Sequence, residues 1–168
     1  MRPYNRRMPH DLAPTLEAAI QHEAPLLRGI TDEQAALRPA SGKWSKKEEL
    51  GHLIDSATNN HVRFVAASLQ REYRGPGYEQ QGWVDRHGYQ DMAWADLVDF
   101  WEKYNRLLAA VVGRIPEDRL PTPCAIGNGP LVSLRFIIED YVLHMQHHLD
   151  HILQREKLTQ YPGAAVGV

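Results

Sequence analysis

The sequence predicts an all-α fold, a four-helix bundle, on three observations. Four long stretches repeat apolar residues at intervals of three and four, and each is bounded by capping residues, proline or glycine. No stretch of useful length alternates apolar and polar residues as a half-buried strand would. At 168 residues the chain is large enough to bury one core without disulfide or metal staples. The whole of 1–168 is read as a single domain, with 1–10 frayed and 158–168 a C-terminal tail.

The first helix is expected from about Asp11, as N-cap, through LEAAIQHEAPLL, with Leu16, Ala19, Ile20 and Leu27 on one face and Pro25 kinking or ending it. In ITDEQAALRPASGKW, Thr31 and Gln34 form the pattern of a capping box for a short turn that Pro39 and Gly42 terminate. The second helix opens at Ser45, with Glu48 completing a capping box, and continues through SKKEELGHLIDSATNNHVRFVAASLQREY. Its apolar stripe is Leu50, Leu53, Ile54, Ala57, Phe64 and Val65, and His61 falls inside it as a hydrogen-bonded core histidine. The third, MAWADLVDFWEKYNRLLAAVVGRI, repeats at Leu97, Trp101, Tyr104, Leu108 and Val111 until Gly113 and Pro116 end it. The fourth runs from about Ser133 to Lys157, between the turn signals GNG and YPG.

Loop lengths set the expected topology. About fifteen residues join the third and fourth helices, which suits antiparallel neighbours. About twenty, RGPGYEQQGWVDRHGYQD, join the second and third, more than a hairpin needs. A helix of about 27 residues is roughly 40 Å long, and a connection of that length extends to at most roughly 65 Å. The connection can therefore cross back, leaving helices two and three parallel and helix four antiparallel to helix two.

Charge and composition narrow the partner. Nineteen Lys and Arg against 21 Asp and Glu give a net charge of -2, so the chain lacks the basic footprint of a nucleic-acid binder or a polybasic membrane anchor. Its longest apolar run is the six residues LLAAVV, against roughly 20 needed to span a bilayer, and MRPYNRRMPHDL lacks the apolar segment of a signal peptide. A cytoplasmic protein with a small-molecule substrate is expected. The single cysteine, Cys124, excludes an internal disulfide and is read as a small buried apolar residue in the loop before helix four.

Helix four carries YVLHMQHHLDHIL, four histidines in eight residues. Its apolar face is Leu134, Ile138, Tyr141, Met145, Leu149 and Ile152; His148 falls beside that stripe and His144 at its margin. One turn apart, these two can converge on one ion, with a polar helix edge as the alternative reading of the pair; His147 points largely away from the stripe and His151 sits in between. In the expected topology His52 lies at their level, roughly 10 Å above the N-cap of helix two. Periodicity places His52 roughly 160° from its own helix's stripe, on a polar face with Asp55, Ser56, Asn59 and Arg63. A solvated surface and a polar groove explain that face equally well, and a solvated surface is the more common of the two.

KWSKKEELGHLIDSATNNHVRF, GYEQQGW and YVLHMQHHLDHIL together resemble the DinB/YfiT-like family, whose members carry HLxDS on helix two and YVxHxxHHxxH on helix four. The resemblance covers roughly residues 40 to 155. It implies a four-helix bundle with a long crossover between helices two and three, and a divalent metal on three histidines, here His52, His144 and His148. Three imidazoles leave the ion open positions, the catalytic arrangement for zinc; nickel and iron also suit imidazole. Such an ion lowers the pKa of bound water or holds a thiolate, so the resemblance implies a metal-dependent hydrolase or a thiol S-transferase using a low-molecular-weight thiol. A non-catalytic metal-binding or stress-associated bundle is the alternative, and a homodimer is a candidate assembly. Asp55 is the candidate general base or hydrogen-bond partner of a ligand, Arg63 the candidate contact for an anionic substrate group, and Tyr78 with Trp83 a candidate lid.

Overall fold

The computed structural model describes residues 12–156 and Tyr161. The expected frayed N-terminus, the Asp11 cap and the tail, apart from Tyr161, lie outside the described residues. Helices α1 (Leu12–Arg28), α2 (Asp32–Ala36), α3 (Lys46–Leu69), α4 (Gln80–His87), α5 (Trp94–Val112) and α6 (Leu134–Ile152) are joined by 3₁₀ turns at Tyr89–Asp91 and Glu117–Arg119. The four long helices α1, α3, α5 and α6 pack around one core, in which Trp101, Tyr141, Phe64, Leu16, Ile20 and Ile138 are almost wholly buried. No helix among the described residues is long and apolar enough to cross a membrane.

Local chemistry sets these boundaries. Both expected capping boxes form: the Thr31 side chain accepts from Gln34 N, the Ser45 side chain accepts from Glu48 N, and each N3 side chain accepts from its cap's own N–H. α1 runs three residues beyond Pro25 before Gly29. A proline so near the end removes one of the last backbone donors and leaves most of the helix intact. α6 begins on Ser133 as its N-cap and stops at Ile152, short of the Lys157 expected from the sequence.

Two expectations are corrected. The chain has strands: β1 (Tyr73–Gly75), β2 (Pro123–Ile126) and β3 (Val132–Ser133) form a sheet in the order β1-β2-β3, with β1 parallel and β3 antiparallel to β2. At two to four residues each, they are too short for alternation to register. The sheet ties the long α3–α5 connection to the loop before α6, and that connection also contains α4. Val65, assigned to the buried stripe, is 37% exposed. It lies on the outer side of α3 with Val62 and Leu69, which are exposed as well.

α3 is packed along two sides. Toward α6, Lys46 Nζ donates to the Ile152 carbonyl, His52 meets His144, and the Phe64 ring meets Tyr141 edge-on at 5.8 Å. Toward α5, Lys47 Nζ donates to the Met92 carbonyl at 2.8 Å, and His61 Nδ1 lies 2.9 Å from Tyr104 Oη. Arg119, beyond α5, donates to the carbonyls of Ser68 and Gln70. Because neighbours lie on both sides, Gly51, His52, Asp55, Ser56 and Asn60 are buried along with the apolar stripe.

Candidate metal centre

The centre begins with two histidine positions on helices that touch. His52 is in the second turn of α3 and is wholly buried; His144 on α6 is 4% exposed. Their Nε2 atoms lie 3.2 Å apart. Two nitrogens bound tetrahedrally to one zinc at about 2.0–2.1 Å would be about 3.3 Å apart, so the spacing suits two ligands of one ion. His148, one turn further along α6, completes the group: one nitrogen from each of the three imidazoles lies within 4.8 Å of the others.

Burial sets the protonation state. It drives the His52 pKa down to about 3, with the nearby His148 charge adding to the effect. His144 is held well below the ordinary imidazole value, again chiefly by burial and then by its histidine neighbours. Both rings are therefore neutral at pH 7, the form that ligates metal. His52 Nδ1 and His144 Nδ1 are buried and have no hydrogen-bond partner among the described residues.

His148 is oriented differently. Its Nδ1 lies 2.8 Å from Glu49 Oε1, so an Nδ1–H donated to the carboxylate leaves the Nε2 lone pair for an ion. Glu49 Oε1 also lies 3.3 Å from His151 Nδ1. Glu49, His148 and His151 form a second group with metal-ligand spacing that shares His148 with the first. Glu49 was not selected from the sequence. A usable signal was present: it stands three residues before His52, one turn away on the same side of the helix. His147 packs its ring 4.3 Å from His151, and Tyr161 lies 5.7 Å from both His144 and His147. The Trp44 ring covers His52 at 5.1 Å.

The other sequence-selected residues lie around this cluster. Asp55 is buried one turn beyond His52, but its Oδ1 accepts from Tyr89 Oη at 2.6 Å and lies 3.0 Å from His87 Nδ1. Glu49, rather than Asp55, supplies the carboxylate that contacts a site histidine. Burial raises the Asp55 pKa, opposed by Tyr89 and His87. Gly51 makes the Tyr89 contact possible: a Cβ there would fall 2.0 Å from the Tyr89 ring. Arg63 lies roughly 16 Å along α3 from His52, at about 1.5 Å per residue. It is 2% exposed, donates to the Pro76 carbonyl at 3.2 Å, and has no carboxylate partner among the described residues. The Tyr78 and Trp83 rings lie 5.1 Å apart, tilted at 59° to each other, in the α3–α5 connection. Cys124 is buried on β2, where burial pushes its thiol pKa up to about 11. A thiol so resistant to ionisation suits the apolar role expected of it.

Residues 6–152 match the family model of the DinB superfamily. A relative from Bacillus pumilus (strain SAFR-032), named "Putative metal-dependent hydrolase", is 26% identical over 141 residues, covering 84% of this chain and 80% of its own. The solved structure described as "YfiT from Bacillus subtilis is a probable metal-dependent hydrolase with an unusual four-helix bundle topology" superposes with a TM-score of 0.76. That match spans 92% of this chain and 89% of the other at 16% identity, a likeness of fold.

Proposed function

The chain belongs to the DinB superfamily, and we propose that it is a metal-dependent hydrolase whose divalent ion is held by His52, His144 and His148. The observation that carries this reading is the convergence of three imidazole nitrogens within 4.8 Å, two of the rings kept neutral by burial. When bound, such an ion keeps an open position and activates a water or thiol placed there at neutral pH. Zinc is the first candidate because the 3.2 Å spacing suits tetrahedral bonds; nickel or iron would accept the same ligands. Within the chain, Glu49 fixes the His148 tautomer and ring direction, and Trp44 limits water around His52.

The same proposal includes the topology. Contacts from α3 to α5 advance in the same chain direction, from Lys47 with Met92 to His61 with Tyr104, which supports parallel helices joined by a crossover. Contacts from α3 to α6 run in opposite directions, from Lys46 with Ile152 to Phe64 with Tyr141, which supports an antiparallel pair. That arrangement brings the start of α3 and the end of α6 to one level. Arg63 remains a proposed contact for an anionic substrate group, supported by its buried charge, which has no carboxylate partner among the described residues. Asp55 is proposed as a wall residue held by Tyr89 and His87.

The test is metal analysis of protein purified without a nickel column, for the natural chain and for His148→Ala. About one equivalent of metal in the former and a large loss in the latter is expected; equal retention refutes the site. The loaded protein is then offered ester, amide and phosphoester substrates, followed by electrophiles with low-molecular-weight thiols. Metal-dependent hydrolysis supports the hydrolase, turnover requiring a thiol reassigns the reaction to S-transfer, and turnover in neither panel leaves a binding-only bundle.

A further inference from the structure

Beside the metal centre lies a separate cavity of about 420 Å³, between α3, α4 and the start of α5. None of the three clustered histidines lines it. Its wall is mostly apolar and carries the aromatic rings Trp83, Tyr89 and Phe100. Trp83 is 37% and Phe100 50% exposed, so the rings form an open trough where water meets aromatic surface.

The acidic groups of the wall face one basic side chain, His87, whose Nδ1 lies against Asp55. Asp55 and Asp96 both line the cavity, and no lysine or arginine does. Asp96 is exposed and has no hydrogen-bond or ion-pair partner among the described residues. Asp55 is 1% exposed; both of its contacts use Oδ1, leaving Oδ2 without a protein donor. With His87 and Tyr89 held on Asp55, Asp96 is the wall carboxylate without a partner among the described residues. Aromatic rings attract cations through their negative faces, and carboxylates at the same cavity add to that attraction. An anion would meet like charge there, and a neutral apolar molecule would leave the Asp96 charge unused.

We propose that this cavity is a binding site for a small organic cation, an ammonium group attached to an apolar or aromatic body. The ammonium sits among the Trp83, Tyr89 and Phe100 rings near Asp96, and the apolar body fills the remaining trough. This inference stands apart from the metal reading, because the cavity's residues and the clustered histidines do not overlap.

Benzyltrimethylammonium and its neutral carbon isostere, neopentylbenzene, are titrated into the full chain while the Trp83 indole N–H signal, assigned with Trp83→Phe, is followed by NMR. Saturable binding of the cation is expected, with the isostere about tenfold weaker or more. Asp96→Asn and Phe100→Ala, both at exposed positions, should each weaken the cation about five- to tenfold in protein whose NMR spectrum stays that of the folded chain. Binding should be equal before and after chelator treatment, which separates this result from the fate of the metal site. Absence of saturable binding, equal affinity for the isostere, or an unchanged affinity in Asp96→Asn overturns the proposal.

Discussion

Replacing Glu49 with alanine tests whether the centre is held as a metal site or is only a packed group of histidines. Glu49 Oε1 is the hydrogen-bond acceptor for His148 Nδ1 at 2.8 Å and is also within reach of His151 at 3.3 Å. Both members of the Glu49–His148 pair are largely but not wholly buried, at 15% and 17% side-chain exposure, so the contact is only partly screened by water. Without the carboxylate, His148 can rotate and choose either tautomer, and the ion loses a pre-oriented, more basic ligand. Removing such a partner lowers metal affinity about 10- to 100-fold, equivalent to about 1.4–2.7 kcal/mol. Competition titration with a chromogenic chelator at fixed pH measures the change. Glu49→Gln keeps an acceptor oxygen and should lose less than Glu49→Ala, whereas His148→Ala should lose more than either. An affinity within twofold of the natural chain in Glu49→Ala, while His148→Ala still releases the metal, would refute the orienting role.

Three further outcomes follow from the packing. Gly51→Ala should destabilise the fold by about 2 kcal/mol in urea unfolding despite the better helix propensity of alanine, because the new Cβ would meet the Tyr89 ring at 2.0 Å and disturb its bond to Asp55. No loss of stability would mean that Tyr89 moves aside freely. Burial raises the Asp140 pKa to about 6, above its unfolded value, so its ionisation costs stability as pH rises through 6. Asp140→Asn should therefore gain on the natural chain at pH 8, by an amount on the order of 2–3 kcal/mol, with the gain vanishing below about pH 4; chemical unfolding at the two pH values checks it. Arg63→Met replaces a buried charge that has no carboxylate partner among the described residues, and should change stability by less than about 1 kcal/mol. If Arg63 grips an anionic group, the same variant lowers kcat/KM for anionic substrates and spares neutral ones.

Much of this molecule was readable from the chain itself. Helix starts at Thr31 and Ser45 were encoded in four-residue capping patterns, which act locally and need no partner. Apolar spacing identified Leu16, Ile20, Leu50, Leu53, Leu97, Trp101, Ile138 and Met145, all buried in the core. Phase along α6 separated His144 and His148 from His147 and His151, since a helix's own geometry decides which side chains share a face. The motif resemblance joined His52 to them.

Tertiary structure decided the rest. Periodicity placed His52 on a polar face and left solvent as an equal explanation, yet it is wholly buried. An apolar stripe reports only the face that meets apolar neighbours; α3 packs on two sides, and its second side is a polar interior that leaves no hydrophobic signature. Asp55 and Glu49 are both one turn from His52, and spacing alone could not rank them. Packing gave Glu49 to His148 across the α3–α6 contact and Asp55 to Tyr89 and His87 of the α3–α5 connection. The sequence by itself determined which helices form and which faces are apolar, because those follow from interactions within a few residues. Which carboxylate meets which histidine depended on chain segments roughly 30 to 100 positions apart, and was decided only when the helices came together.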